Sequence, residues 1–89
     1  MLDSHDLELF GLFATSFVLR GRRSWHCAEL VDRLEALGLP TDCQDALKNL
    51  CSAGWLTEAR EDVFELTEAG VGMARYQVEP YRVGDTNWP

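Results

Sequence analysis

Eighty-nine residues are enough for one domain and too few for two. At 46% hydrophobic, 10% aromatic and 26% charged, with three Pro and seven Gly, the chain is not a disordered tail, which could not bury enough apolar surface to offset its ordering entropy. Eight basic residues against fifteen acidic ones leave a net charge of −7. Bulk electrostatics therefore does not draw the chain to nucleic acid or to an anionic membrane, and any such role needs a local patch. Cys27, Cys43 and Cys51 form an odd set, and the start Met1-Leu2-Asp3-Ser4-His5-Asp6 is acidic where a signal peptide is basic. The longest apolar stretch, Leu9 to Leu19, is too short to span a bilayer. The expectation is a reduced, cytoplasmic protein with free thiols and no membrane contact.

Leu7, Phe10, Phe13 or Ala14, and Phe17 recur at helical spacing and predict a first helix over about Leu7–Leu19, with Asp3, Ser4 or Asp6 as cap and Gly21 as its stop. Ser24 is the expected cap of a second helix, Trp25–Leu37, whose inner face is Ala28, Leu30, Val31, Leu34 and Leu37. Gly38-Leu39-Pro40 ends it. Thr41-Asp42-Cys43-Gln44 has the spacing of a capping box and opens a third helix, Asp42 to about Ser52, stopped by Gly54. After Gly54 the period changes. Trp55–Ala59 and Val63–Leu66 predict two short strands around the turn Arg60-Glu61-Asp62. Thr67 then caps a last helical stretch, Glu68 to about Gln77, and the segment 79–89 reads as an extended tail with Tyr81 and Trp88 as anchors.

This order of elements resembles a winged helix-turn-helix. Leu50-Cys51-Ser52-Ala53-Gly54-Trp55-Leu56 is similar to the exit from a recognition helix into a wing strand. Phe64-Glu65-Leu66-Thr67-Glu68-Ala69-Gly70 resembles the segment that closes the wing in MarR-, PadR- and ArsR-type regulators. The resemblance implies a mainly α domain over residues 1–78, with three helices, a two-stranded wing and a last short helix. It also implies a small DNA-binding transcriptional regulator that reads base edges from its third helix.

On that reading the nucleic-acid candidates are Gln44, Lys48 and Asn49 on the third helix, Arg60 on the wing, and the cluster Arg20, Arg22 and Arg23. Charge stands against it. Between Thr41 and Leu66 two bases, Lys48 and Arg60, face six acids: Asp42, Asp45, Glu58, Glu61, Asp62 and Glu65. The alternative is a winged helix used for protein contact, including an acidic inhibitor that presents carboxylates to a protein's nucleic-acid site. Its interface candidates are Asp42, Asp45, Glu58, Glu61 and Asp62, with Phe10, Phe13 and Phe17 of the first helix and Tyr81 and Trp88 of the tail. The first helix carries more apolar side chains than a stripe of about 100° needs, which predicts a homodimer through it, with the tail folding back on its own chain as the competing arrangement.

Metal, cofactor and catalytic sites are not expected. No Cys-x-x-Cys occurs, and Cys43 and Cys51 stand eight apart, about 80° off one line on a helix. Cys27, beside the arginines, is the one thiol placed for redox sensing. Gly70-Val71-Gly72 lacks the third glycine of a dinucleotide loop, with Arg75 in its place. His5 and His26 have no nucleophile at a spacing that would make either a catalytic base.

Overall fold

A computed structural model describes residues 2–76. The expected tail 79–89, with Tyr81 and Trp88, lies outside the described residues. Three helices and three strands run in the order α1 (Ser4–Arg20), β1 (Ser24–His26), α2 (Cys27–Ala36), α3 (Gln44–Ser52), β2 (Leu56–Arg60) and β3 (Val63–Leu66). Residues 68–76 form a further helix, α4. No helix among the described residues is long and apolar enough to cross a membrane.

The helix ends follow side-chain chemistry. Asp3 caps α1 through a reciprocal pair in which the Asp6 amide donates to Asp3 Oδ1 at 3.0 Å and the Asp3 amide donates to Asp6 Oδ2 at 3.1 Å. At the other end Gly21 takes φ +71°, the left-handed conformation that lets its amide turn back to the Phe17 carbonyl. Gly38 ends α2 in the same way, and the Leu39 amide reaches the Leu34 carbonyl at 2.9 Å, as Gly38-Leu39-Pro40 predicts.

The sheet differs from expectation. It has three antiparallel strands in the order β1-β3-β2, not two. Ser24-Trp25-His26 does not open the second helix but pairs with Val63–Glu65, and a hairpin alone is marginal in water until a third strand joins it. His26, not Ser24, therefore caps α2: the Ala28 amide donates to His26 Nδ1 and the His26 amide donates to Glu29 Oε1, both at 3.1 Å. The Thr41–Gln44 capping box does not form either. Cys43 is the N-cap of α3 and offers no side-chain bond, while His5 Nε2 donates to the Asp42 carbonyl at 3.0 Å and holds that segment against α1. The turn at Glu61-Asp62, the strand β3 and the Thr67 cap of α4, whose hydroxyl accepts from the Gly70 amide at 3.0 Å, fall where the sequence places them.

Helix α1 is the centre of the core. Leu9, Phe10, Phe13 and Ala14 are all fully buried and join Leu30 and Leu34 of α2, Leu50 of α3, Leu66 and Ala74. Phe10 packs on Trp55 with ring centroids 4.8 Å apart, and Phe13 meets Trp25 edge-on at 6.4 Å. The phenylalanine face of the first helix is thus taken up inside one chain, while Leu7 and Leu19 of the same helix stay exposed. Phe10 and Phe13 are core residues and offer nothing to a partner; Phe17 is half-buried against the same core, with the Arg75 guanidinium 5.9 Å from its ring.

Candidate functional site

Helix α3 and the β2–β3 hairpin enclose a groove of about 530 Å³. Gln44, Lys48 and Cys51 line it from α3 at i, i+4 and i+7, one face of a helix. Glu58 and Asp62 line it from the hairpin and Asp45 from the first turn of α3, so three carboxylates share the groove with the single ammonium of Lys48. The Asp62 amide donates to Glu58 Oε2 at 3.2 Å, which fixes the turn and keeps that carboxylate over the hairpin. Asp62 itself sits at φ +61°, a conformation that Asp tolerates better than most side chains. Asp42 and Glu61 are exposed outside the groove, as is Arg60 at the end of β2.

Two half-buried thiols, Cys27 and Cys51, stand in the same groove. Burial pushes the Cys27 thiol above the ordinary range, and nearby Cys43, Asp62 and Glu58 push it further. Burial also raises Cys51, with Glu58 adding to it, and raises Cys43 against the lowering effect of a backbone hydrogen bond. A negative, partly dry setting keeps a thiol neutral, the reverse of what a redox-sensing thiolate needs. Arginines do not offset this at Cys27, because Arg22 is turned elsewhere. Among the described residues, no three His, Cys, Asp or Glu side chains gather closely enough to share a metal ion.

The structure divides the sequence's nucleic-acid candidates. Gln44 and Lys48 face the groove, but Asn49 does not join them: its Nδ2 donates to Asp6 Oδ2 at 3.1 Å and ties α3 to the buried start of α1. Asn49 stands about 100° round the helix from Lys48, on the side that meets α1. The three arginines of the cluster make different contacts. Arg22 stacks over the Trp25 ring at 3.7 Å, pairs with Glu29 at 2.7 Å and donates through Nε to the Ser24 carbonyl at 3.0 Å. Arg23 donates to the Leu66 carbonyl at 2.9 Å and so fastens β1 to the end of β3. Arg20 stays exposed at the end of α1. Adjacent in sequence, these three bases do three separate jobs, two of them structural.

Sequence reasoning missed that Cys27, Cys51 and Glu58 meet. The i, i+4, i+7 spacing of Gln44, Lys48 and Cys51 marks one wall of the groove, but the other wall depends on how the hairpin folds over α3, a contact that no local pattern announces. No family model, curated protein or solved structure matches the chain.

Proposed function

We propose that this chain is a non-catalytic binding module of winged-helix type that works by protein contact, presenting the acidic face of α3 and the hairpin to a basic surface of its partner. The hairpin that follows the third helix, braced by β1, supports the winged-helix reading. The observation that carries the function is the groove itself, where Asp45, Glu58 and Asp62 surround Lys48 in the place a regulator of this type would turn toward DNA. Phosphates brought to that face meet carboxylates. Of the arginines that could compensate, Arg22 and Arg23 are bound to Trp25, Glu29 and Leu66, and the exposed Arg20 and Arg60 do not line the groove. A partner whose own site takes nucleic-acid phosphates has the complementary charge, and rim charges of this kind chiefly speed encounter and set specificity.

The test uses two probes on the full chain. A labelled duplex at low salt is expected to show no retardation at micromolar protein. A lysine- and arginine-rich peptide of about 15 residues is expected to shift the amide resonances of Asp45, Glu58 and Asp62, with affinity falling as salt rises. Retardation of the duplex that is lost in Lys48→Ala would overturn the proposal in favour of DNA binding.

A further inference from the structure

Gly11 stands in the middle of α1, where glycine costs about 0.5–1 kcal/mol relative to alanine. Nothing among the described residues uses the missing side chain, since a Cβ at Gly11 meets no heavy atom of theirs within 4 Å. Gly70 is the opposite case: a Cβ there runs into the Trp55 carbonyl oxygen, so a close backbone contact excludes it. A glycine on the outer face of a helix suits the close approach of a backbone from outside.

The surroundings of Gly11 fit such an approach. It lines a groove of about 580 Å³ between α1 and α2, with Leu12, Thr15 and Leu19 on the α1 side and Leu37 and Leu39 at the end of α2. Leu19 and Leu37 are 65% and 55% exposed. Trp25 also lines the groove, buried to 4% exposure, and its indole N–H has no hydrogen-bond partner among the described residues. That is a largely apolar surface.

Charge selects the occupant. Glu8 lines one end of the α1 side and Arg20 the other, about 18 Å apart along the axis at 1.5 Å per residue. Both are exposed, and neither makes an ion pair among the described residues. A second α1 laid antiparallel over Gly11 and Thr15 brings its Arg20 to Glu8 and its Glu8 to Arg20. A two-fold axis thus satisfies each charge once, the self-complementarity that an isologous interface requires. We infer that the α1–α2 groove is a self-association surface, occupied by α1 of a second copy. It is a different surface from the phenylalanine face, which the core consumes.

Sedimentation of the full chain from about 5 to about 500 µM decides the matter, with dimer expected to accumulate across that range. Gly11→Gln, which has open space in the single chain, is expected to weaken the dimer at least tenfold while its melting temperature holds or rises. Glu8→Arg and Arg20→Glu each weaken it, and an equimolar mixture of the two restores association, because the crossed pairs are again opposite in sign. One-chain mass at every concentration, as for a groove filled by the chain's own tail, overturns the inference. So does a dimer equally strong in Gly11→Gln and in both reversals, which would use another face.

Discussion

The two edges of the sheet are held in different ways. The β2–β3 edge is local: a two-residue turn joins the strands, Leu56 pairs with Leu66 across it, and the chain needs only its own neighbours to close the ladder. The β1 edge is distant. Ser24, Trp25 and His26 pair with Glu65, Phe64 and Val63, and the Arg23 guanidinium and the Leu66 carbonyl meet across 43 residues. Closing so long a loop costs entropy that three backbone pairs do not repay, so the β1 edge depends on side chains, above all on Trp25. A local edge is encoded by turn chemistry, and a distant one by a single large anchor and the cations around it.

Removing the anchor has the largest expected effect. Trp25→Ala takes out a ring that is 4% exposed and packed against Phe13, and is expected to cost about 3–5 kcal/mol in denaturant unfolding. Hydrogen exchange sharpens the comparison: amides of β1 lose protection before those of the β2–β3 pairing. Equal loss in both would show that the sheet opens as one unit. Gly70→Ala comes next. The added methyl meets the Trp55 carbonyl where α4 seals the hairpin, and overpacking of this kind costs about 1–3 kcal/mol in spite of alanine's better helix propensity. The local edge answers to backbone conformation instead. Asp62→Val places a β-branched residue at φ +61° and is expected to cost about 1–2 kcal/mol by thermal unfolding.

The same contrast explains what the sequence made legible. Gly21, Gly38 and Gly54 stop helices at positive φ, and Thr67 caps α4, because each acts on residues within one turn of itself. The hairpin was readable for the same reason. Strand β1 was not: three residues are too few to show a two-residue period, and their partners lie about 40 positions away. Trp25 therefore read as the first turn of a helix. The Thr41–Gln44 box does not form: α3 begins two residues later than the sequence suggests, with Cys43 as its N-cap, and the Asp42 carbonyl accepts from the distant His5. Of the candidate face, the acids of α3 and the hairpin could be named from the sequence. Which bases would remain beside them could not, since the fates of Arg22, Arg23 and Asn49 rest on contacts with Trp25, Leu66 and Asp6.

The smallest expected effect tests whether the cations at the β1 edge support its anchor. Arg22 lies over the Trp25 ring and holds the Glu29 carboxylate, which also accepts from the His26 amide. The Arg22 hydrogen bond is the main cause of a Glu29 carboxyl held below the usual range, with the His26 amide second. A depressed carboxyl stabilises the fold above its unfolded pKa, and that contribution is lost as pH falls through the folded value. Arg22→Met keeps the apolar stem on the ring and removes the charge. Loss of the cation–π contact is expected to cost about 0.5–1 kcal/mol at neutral pH. In acid the wild-type carboxylate is protonated, so the part of the difference due to the Arg22–Glu29 pair disappears and the two stability curves draw closer. In an NMR titration, the Glu29 midpoint should rise only part of the way toward an ordinary glutamate, because the His26 amide still donates. An unchanged midpoint would mean that the Arg22–Glu29 pair does not persist in solution. The Glu29 carboxylate would then add nothing to the support that Arg22 gives the Trp25 ring.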